Sequence, residues 1–254
     1  MIYIFDGSFY GWLCCVFECF EMKEWHAKVM DEKRHQPDMF QSERLIYTDV
    51  NNATRVLRAL EKKFGTQMVK DIYRAFLSED VQAWQAAFYL VRNLFQGYSD
   101  IINDFGDSKV LYFHQTLKKV QRESHRMKAF VRFSKSNDGL FFSLIAPDFN
   151  VLPLIVSFFK NRYADQVWLL YDVKRTYGFY YDKKIVTEVK VNDQPNVSNV
   201  LTEKTINLDE NDLLYQNLWK QYFKSTNIVE RKNIRLHLQH VPMRYWNYLV
   251  EKQK

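Results

Sequence analysis

The chain has 254 residues, 47% of them hydrophobic and 17% aromatic, enough apolar material for one large core or two modest ones. Its mean hydropathy of -0.40 and the lack of any apolar run of about 20 residues argue against a membrane span, and the early Asp6, with no basic start before an apolar block, argues against a secretory signal. The net charge of +6 is modest, so its information lies in where the charges fall.

Ile2 to Phe5 reads as a short apolar strand. Asp6-Gly7-Ser8 then turns the chain into a helix from Phe9 to Met22, with Ser8 as its N-cap. The only cysteines, Cys14, Cys15 and Cys19, lie in this helix; an odd set of this kind is no disulfide framework and fits a reducing cytoplasm. Lys23 to Ser42 is polar, contains Pro37 and reads as a loop, and Arg44 to Thr48 reads as a second strand beside the first. Helices follow at Asn52 to Phe64, Gln67 to Leu77 and Val81 to Phe95. Val56, Leu57 and Leu60, then Val69, Ile72, Tyr73 and Phe76, keep the three-and-four spacing of a buried stripe.

After the loop Gly97 to Asp107, Val110, Phe113, Leu117 and Val120 mark an amphipathic helix ending near Arg126. Ala129, Val131 and Phe133 then alternate with Phe130 and Arg132 as in a strand, and Ser136-Asn137-Asp138-Gly139 supplies a hairpin turn before a strand from Leu140 to Ile145. Asn150 is placed to cap a helix from Val151 to Tyr163, with Pro153 in its first turn. Val167 to Val173, Tyr177 to Tyr181 and Ile185 to Val191 read as a three-stranded meander. Asn192 to Asp209 reads as an exposed excursion, Asp209 caps a helix through Phe223, and basic groups interleave with Tyr245, Trp246 and Tyr248 near the C-terminus. The order strand, strand, helix, strand, strand, strand predicts an α+β fold. A mainly helical N-terminal part over 1–107 precedes a part over 108–254 with an antiparallel sheet of about five strands, C-terminal helices and a basic, aromatic end, the two being separate or one continuous domain.

The charges are clustered. Lys118 to Lys135 holds seven Lys/Arg against Glu123 alone, and Arg231 to Lys254 holds six against Glu251, which leaves the remainder net negative by five. Clustering of this kind marks a polyanion partner or a pair of solvated faces. Arg126, Lys128 and Arg132, with His125, sit at a helix-to-strand junction suited to phosphate oxygens. A helix C-terminus also favours cations, but Lys128 and Arg132 lie beyond the last turn. Arg162 and Asp165, three apart at a helix end, favour a structural ion pair, whereas Asp172 and Arg175 occupy a turn where a functional role and a salt bridge are equal readings.

Cys15 and Cys19 share a helix face, yet no further ligands stand at metal spacing beside them, so they read as small apolar residues. His237 and His240 lie three apart near Arg244, and His240 suits a hydrogen-bonding or phosphate-contacting role. Tyr177, Tyr180, Tyr181, Tyr245 and Trp246 offer rings that stack on unpaired bases or fill a core. No nucleophile, metal or nucleotide-loop signature stands out, and no cofactor is expected.

Five phrases carry a resemblance: Phe5-Asp6-Gly7-Ser8-Phe9, His125-Arg126-Met127-Lys128-Ala129-Phe130-Val131-Arg132-Phe133, Pro147-Asp148-Phe149-Asn150-Val151-Leu152-Pro153-Leu154-Ile155, Arg162-Tyr163-Ala164-Asp165-Gln166 and Gln239-His240-Val241-Pro242-Met243-Arg244-Tyr245-Trp246. Over nearly its whole length the chain resembles a bacterial family of DNA-repair or DNA-metabolism proteins. Members of that family accompany a radical-SAM protein of DNA modification or repair, and a related domain elsewhere is fused to a uracil-DNA-glycosylase-like domain. The family pattern has two adjacent basic residues before Tyr-Trp, where this chain has Met243 and Arg244.

The resemblance implies a role in DNA. This chain lacks the three-cysteine cluster motif of a radical-SAM enzyme, so the expected function is that of a cytoplasmic, DNA-binding accessory component of a radical-SAM-linked system. Its expected partners are DNA and the radical-SAM protein, with no membrane partner, and Arg126, Lys128, Arg132, Arg175, Arg244, Tyr245 and Trp246 are the expected nucleic-acid contacts. The alternative is a catalytic protein acting on a damaged base or the DNA backbone, with Asp6, His125, Asp165, Asp172 and His240 as candidates and at least some of His125, Asp165, Asp172 and His240 expected to share one concave site with Asp6 or Arg175.

Overall fold

The computed structural model describes residues 1–37, 41–137, 139–190 and 234–252, together with 212, 214, 216–218, 220 and 221. Two compact units, Met1–Arg122 and Glu123–Lys254, divide the chain inside a helix rather than at the loop before it. Asp138, the excursion 192–209 and the cap at Asp209 lie outside the described residues; of the helix expected to follow that cap, the described positions from 212 to 221 are helical.

In the first unit, β1 (Ile2–Phe5) is the centre of a three-stranded parallel sheet between β2 (Lys28–Asp31) and β3 (Glu43–Leu45). The strand β2 lies in a stretch expected to be loop, where four residues of mixed polarity give too short a pattern to read. Ser8 caps α1 (Phe9–Glu21) as expected, its hydroxyl accepting from the Gly11 N–H at 2.9 Å. The span α2 (Val50–Phe76) contains the two expected helices, broken at Gly65, whose φ of 82° only glycine adopts freely. Trp12, Leu13, Cys15, Leu60, Ile72 and Leu90, the last from α3 (Val81–Phe95), are buried in its core.

The helix α4 (Ser108–Phe130) runs past its expected end near Arg126. Met127 and Val131 are both buried, and Val131 N–H donates to the Met127 carbonyl at 3.1 Å, so four-residue spacing overrides the apparent alternation over Ala129 to Phe133. The strand that follows is only β4 (Ser134–Lys135).

The second unit holds a five-stranded sheet in the order β4, β5 (Phe141–Ile145), β6 (Trp168–Asp172), β7 (Tyr177–Tyr181) and β8 (Val186–Lys190). The fold is α+β, as expected, but β5 and β6 are parallel, whereas the other three pairs are antiparallel. The reason is topological: α5 (Leu152–Arg162) is a crossover between neighbours, and a crossover returns the chain in the same direction. Asn150 does not cap α5, since Val151 is the cap residue and makes no side-chain capping bond; the Asn150 side-chain Oδ1 instead accepts from the Tyr177 hydroxyl. Tyr171 pairs with Gly178 across β6 and β7, where a Cβ on Gly178 would sit 2.6 Å from the Leu170 carbonyl oxygen and 2.8 Å from the Tyr171 ring.

Candidate nucleic-acid interface

The carboxyl ends of parallel strands are where α/β folds gather ligands, because the loops there are free to vary. At that end of β5 and β6 the structure brings together the loop Pro147–Asn150, the Asp172–Arg175 turn and Glu123. Asp172 is fully buried; its carboxylate accepts from Lys174 N–H at 2.9 Å and from Arg175 Nη1 at 2.8 Å. Burial pushes the Asp172 carboxyl above its ordinary range, and Arg175 only partly offsets that. The same guanidinium donates to the carbonyls of Pro147 and Asp148, each at 3.0 Å. Arg175 is therefore a brace for the β5–α5 loop, and its donors are not turned to a phosphate.

Glu123 completes this end from α4. Its buried carboxylate accepts from Asp148 N–H at 3.0 Å, from Arg244 Nη2 at 3.2 Å and from the Tyr245 hydroxyl. Tyr245, on a 3-10 segment Met243–Tyr248, is only 2% exposed, and burial and the Glu123 bond push its phenol well up. A ring so enclosed has no face to offer a base, so the expected stacking role of Tyr245 gives way to an anchoring one. Arg244 also pairs with Asp148 at 2.9 Å, but its side chain is 43% exposed, which leaves part of the guanidinium open to solvent. Trp246 donates to the Val241 carbonyl at 3.1 Å.

The other expected cations are also engaged. Arg126 donates to the Gln239 carbonyl at 2.9 Å, near the end of α6 (Ile234–His240), where a cation complements unsatisfied carbonyls. Arg132 pairs with Glu251 at 2.9 Å and donates to the Ala129 carbonyl at 2.7 Å. The Lys128 ammonium lies 5.5 Å from the centre of the Phe158 ring.

The catalytic candidates do not all converge. Asp6 is in the first unit, where the Ser8 N–H and the Thr48 hydroxyl donate to it at 2.9 and 2.8 Å; burial pushes its carboxyl up, but these bonds outweigh it and hold it below its ordinary range. His125 on α4 and His240 at the end of α6 are exposed, with no hydrogen-bond partner among the described residues. Asp165 precedes β6 while Asp172 ends it, so the two stand at opposite ends of a strand roughly 13 Å long at 3.3 Å per residue.

At the Asp165 end of β6 lies a cleft of about 470 Å³. Phe133 and Tyr163 meet edge to face at 5.5 Å, and Phe133 packs on Phe159 at 5.6 Å and on Trp168 at 6.2 Å. Val131 and Phe141 extend this apolar wall, while Arg132, Arg162 and Gln166 supply its polar groups. The expected Arg162–Asp165 ion pair is not formed among the described residues. Arg162 is exposed and lies against Tyr163 instead, its Nε 3.4 Å from the hydroxyl and its guanidinium 5.7 Å from the ring centre. Trp168 is 1% exposed, and its buried indole N–H has no acceptor among the described residues.

Reasoning from sequence missed Glu123, Asp148 and this cleft. Glu123 carried a signal, being the single acid in a run of seven cations, whereas the cleft joins residues up to 37 positions apart and had none. Among the described residues no three His, Cys, Asp or Glu side chains gather as metal ligands, and Cys14, Cys15 and Cys19 are buried with thiols pushed up mainly by that burial. No helix among the described residues is long and apolar enough to cross a membrane.

Both the braced loop and the cleft fall within residues 81–251, the span matched by the model of the family described as Domain of unknown function (DUF4130). Comparison with curated proteins and with solved structures gives no match. Since the matched span is about two-thirds of the sequence and includes the whole five-stranded sheet, the chain belongs to the DUF4130 family.

Proposed function

We propose that this protein is a DNA-binding accessory component of a radical-SAM-linked DNA repair or modification system. The observation that carries the reading is the cleft beside β6, where an exposed Arg162 with no carboxylate partner among the described residues adjoins partly open aromatic rings. Cations beside aromatic faces are the combination that holds a nucleic-acid strand, the charge acting on phosphates and the rings on bases. The excess of Lys/Arg over 118–135 and 231–254 supports the same partner. The link to a radical-SAM protein rests on the family resemblance of the five sequence phrases.

The catalytic alternative draws less support. Glu123 and Asp172, the buried carboxylates among the described residues of the second unit, are each held by an arginine and by further donors, an arrangement suited to bracing rather than proton transfer. The test incubates the purified chain with undamaged and damaged DNA, with and without the radical-SAM partner. Binding without turnover by the chain alone, and conversion only with the partner, is the expected result. Turnover by the chain alone would establish the alternative, and the lack of any binding at low salt would overturn the proposal.

A further inference from the structure

The cleft beside β6 has features that a duplex does not use. We infer that it takes one unpaired nucleotide, its base against the aromatic wall and its phosphate at Arg162, a proposal that rests on the DNA-binding reading and narrows it. A base inside a duplex is stacked on both faces and presents only its edges in the grooves, so it has no ring face to give to Phe133, Phe141 or Tyr163. An unpaired base has one.

The volume of about 470 Å³ lies within the range of pockets that enclose small ligands, roughly 300–1,000 Å³. Three donor groups surround it. Arg162 is exposed at the rim and leans on Tyr163, so its position is set by a ring contact and its charge is not cancelled by Asp165. Gln166 uses its backbone N–H for the Tyr163 carbonyl, while its side-chain amide, with no partner among the described residues, offers both a donor and an acceptor to a base edge. The buried Trp168 N–H without an acceptor is a group of the kind that marks an incomplete polar site. Arg132, tied to Glu251 and to backbone carbonyls, adds fixed positive charge to the lining.

A free nucleotide and a nucleotide within a single strand share this chemistry, and fluorescence anisotropy on the full chain separates them. A labelled single-stranded oligonucleotide, the corresponding labelled duplex and thymidine monophosphate as competitor are compared for the natural chain, Arg162→Gln and Gln166→Leu, with circular dichroism verifying the fold of each variant. The single strand is expected to bind at least about tenfold tighter than the duplex, and each substitution to weaken it by about three- to tenfold, the scale of one stacked base or one charged contact. Equal binding of both forms, untouched by the substitutions, would overturn the cleft assignment while leaving DNA binding in place. Binding of the monophosphate without either oligonucleotide would keep the pocket and overturn the DNA reading. No binding of any of the three would overturn both.

Discussion

Replacing Glu123 by Ala removes the acceptor on which three donors converge, and the cost follows from how deeply each donor is placed. The Tyr245 hydroxyl, on a residue only 2% exposed, is orphaned in the interior at a cost of about 1–3 kcal/mol, whereas the N–H of the exposed Asp148 can turn to water and adds at most about 1 kcal/mol. Arg244, 43% exposed on its side chain and still paired with Asp148, adds at most about 1 kcal/mol. The expected total is about 2–5 kcal/mol. Tyr245→Phe alone removes one donor to a carboxylate and is expected to cost about 1.5–3 kcal/mol. In the Glu123→Ala background that hydroxyl is already orphaned, so deleting it should cost almost nothing. A double-mutant cycle on urea denaturation midpoints therefore yields a coupling of about 1.5–3 kcal/mol. Strictly additive losses, or a Glu123→Ala cost below about 1 kcal/mol, would refute the reading of Glu123 as the shared acceptor.

Three further outcomes are expected. Gly178→Ala forces a Cβ to within 2.6 Å of the Leu170 carbonyl oxygen and should destabilise the second unit by about 1–3 kcal/mol in thermal unfolding; a neutral substitution would contradict the close β6–β7 approach. The Tyr112 phenol, raised to about 12 by its bond to Asp80, then by burial and the Asp80 charge, gives stability that is complete below its ordinary value of 10.0 and is lost as pH rises through about 12. Denaturation curves across that window should therefore fall more steeply for the natural chain than for Tyr112→Phe, and parallel curves would contradict it. Arg126→Ala, which loses the 2.9 Å bond to the Gln239 carbonyl, should speed amide hydrogen exchange over Ile234–His240 while leaving β5 to β8 unchanged; equal protection in the two proteins would show that Arg126 does not secure that helix.

What the sequence discloses and what it hides divide along physical lines. Local signals read correctly: Ser8 as a cap, two helices within α2, one ending at Phe64 and the next starting at Gln67, Pro153 in the first turn of α5, and the strands β5 to β8. Such features are settled by a few adjacent residues. The run Ala129 to Phe133 fits two periods at once, and burial of Met127 and Val131 on one helix face decides between them, which is a tertiary fact. The cations were located as charges but not by partner, because a carboxylate 119 or 121 residues away, as for Arg132 with Glu251 and Arg244 with Glu123, leaves no pattern in the chain. Asp165 and Asp172 are close in sequence, yet the extended strand β6 lies between the one, which precedes it, and the other, which ends it.

Photocrosslinking tests the central claim most directly. A single-stranded oligonucleotide carrying one photoreactive base would be irradiated with the full chain, and the adducts mapped by mass spectrometry of the resulting peptides. Adducts concentrated on Phe133, Phe141 and Tyr163, which line the cleft, and lost with Arg162→Gln, are the predicted result. Adducts confined to peptides outside 131–168 would contradict it.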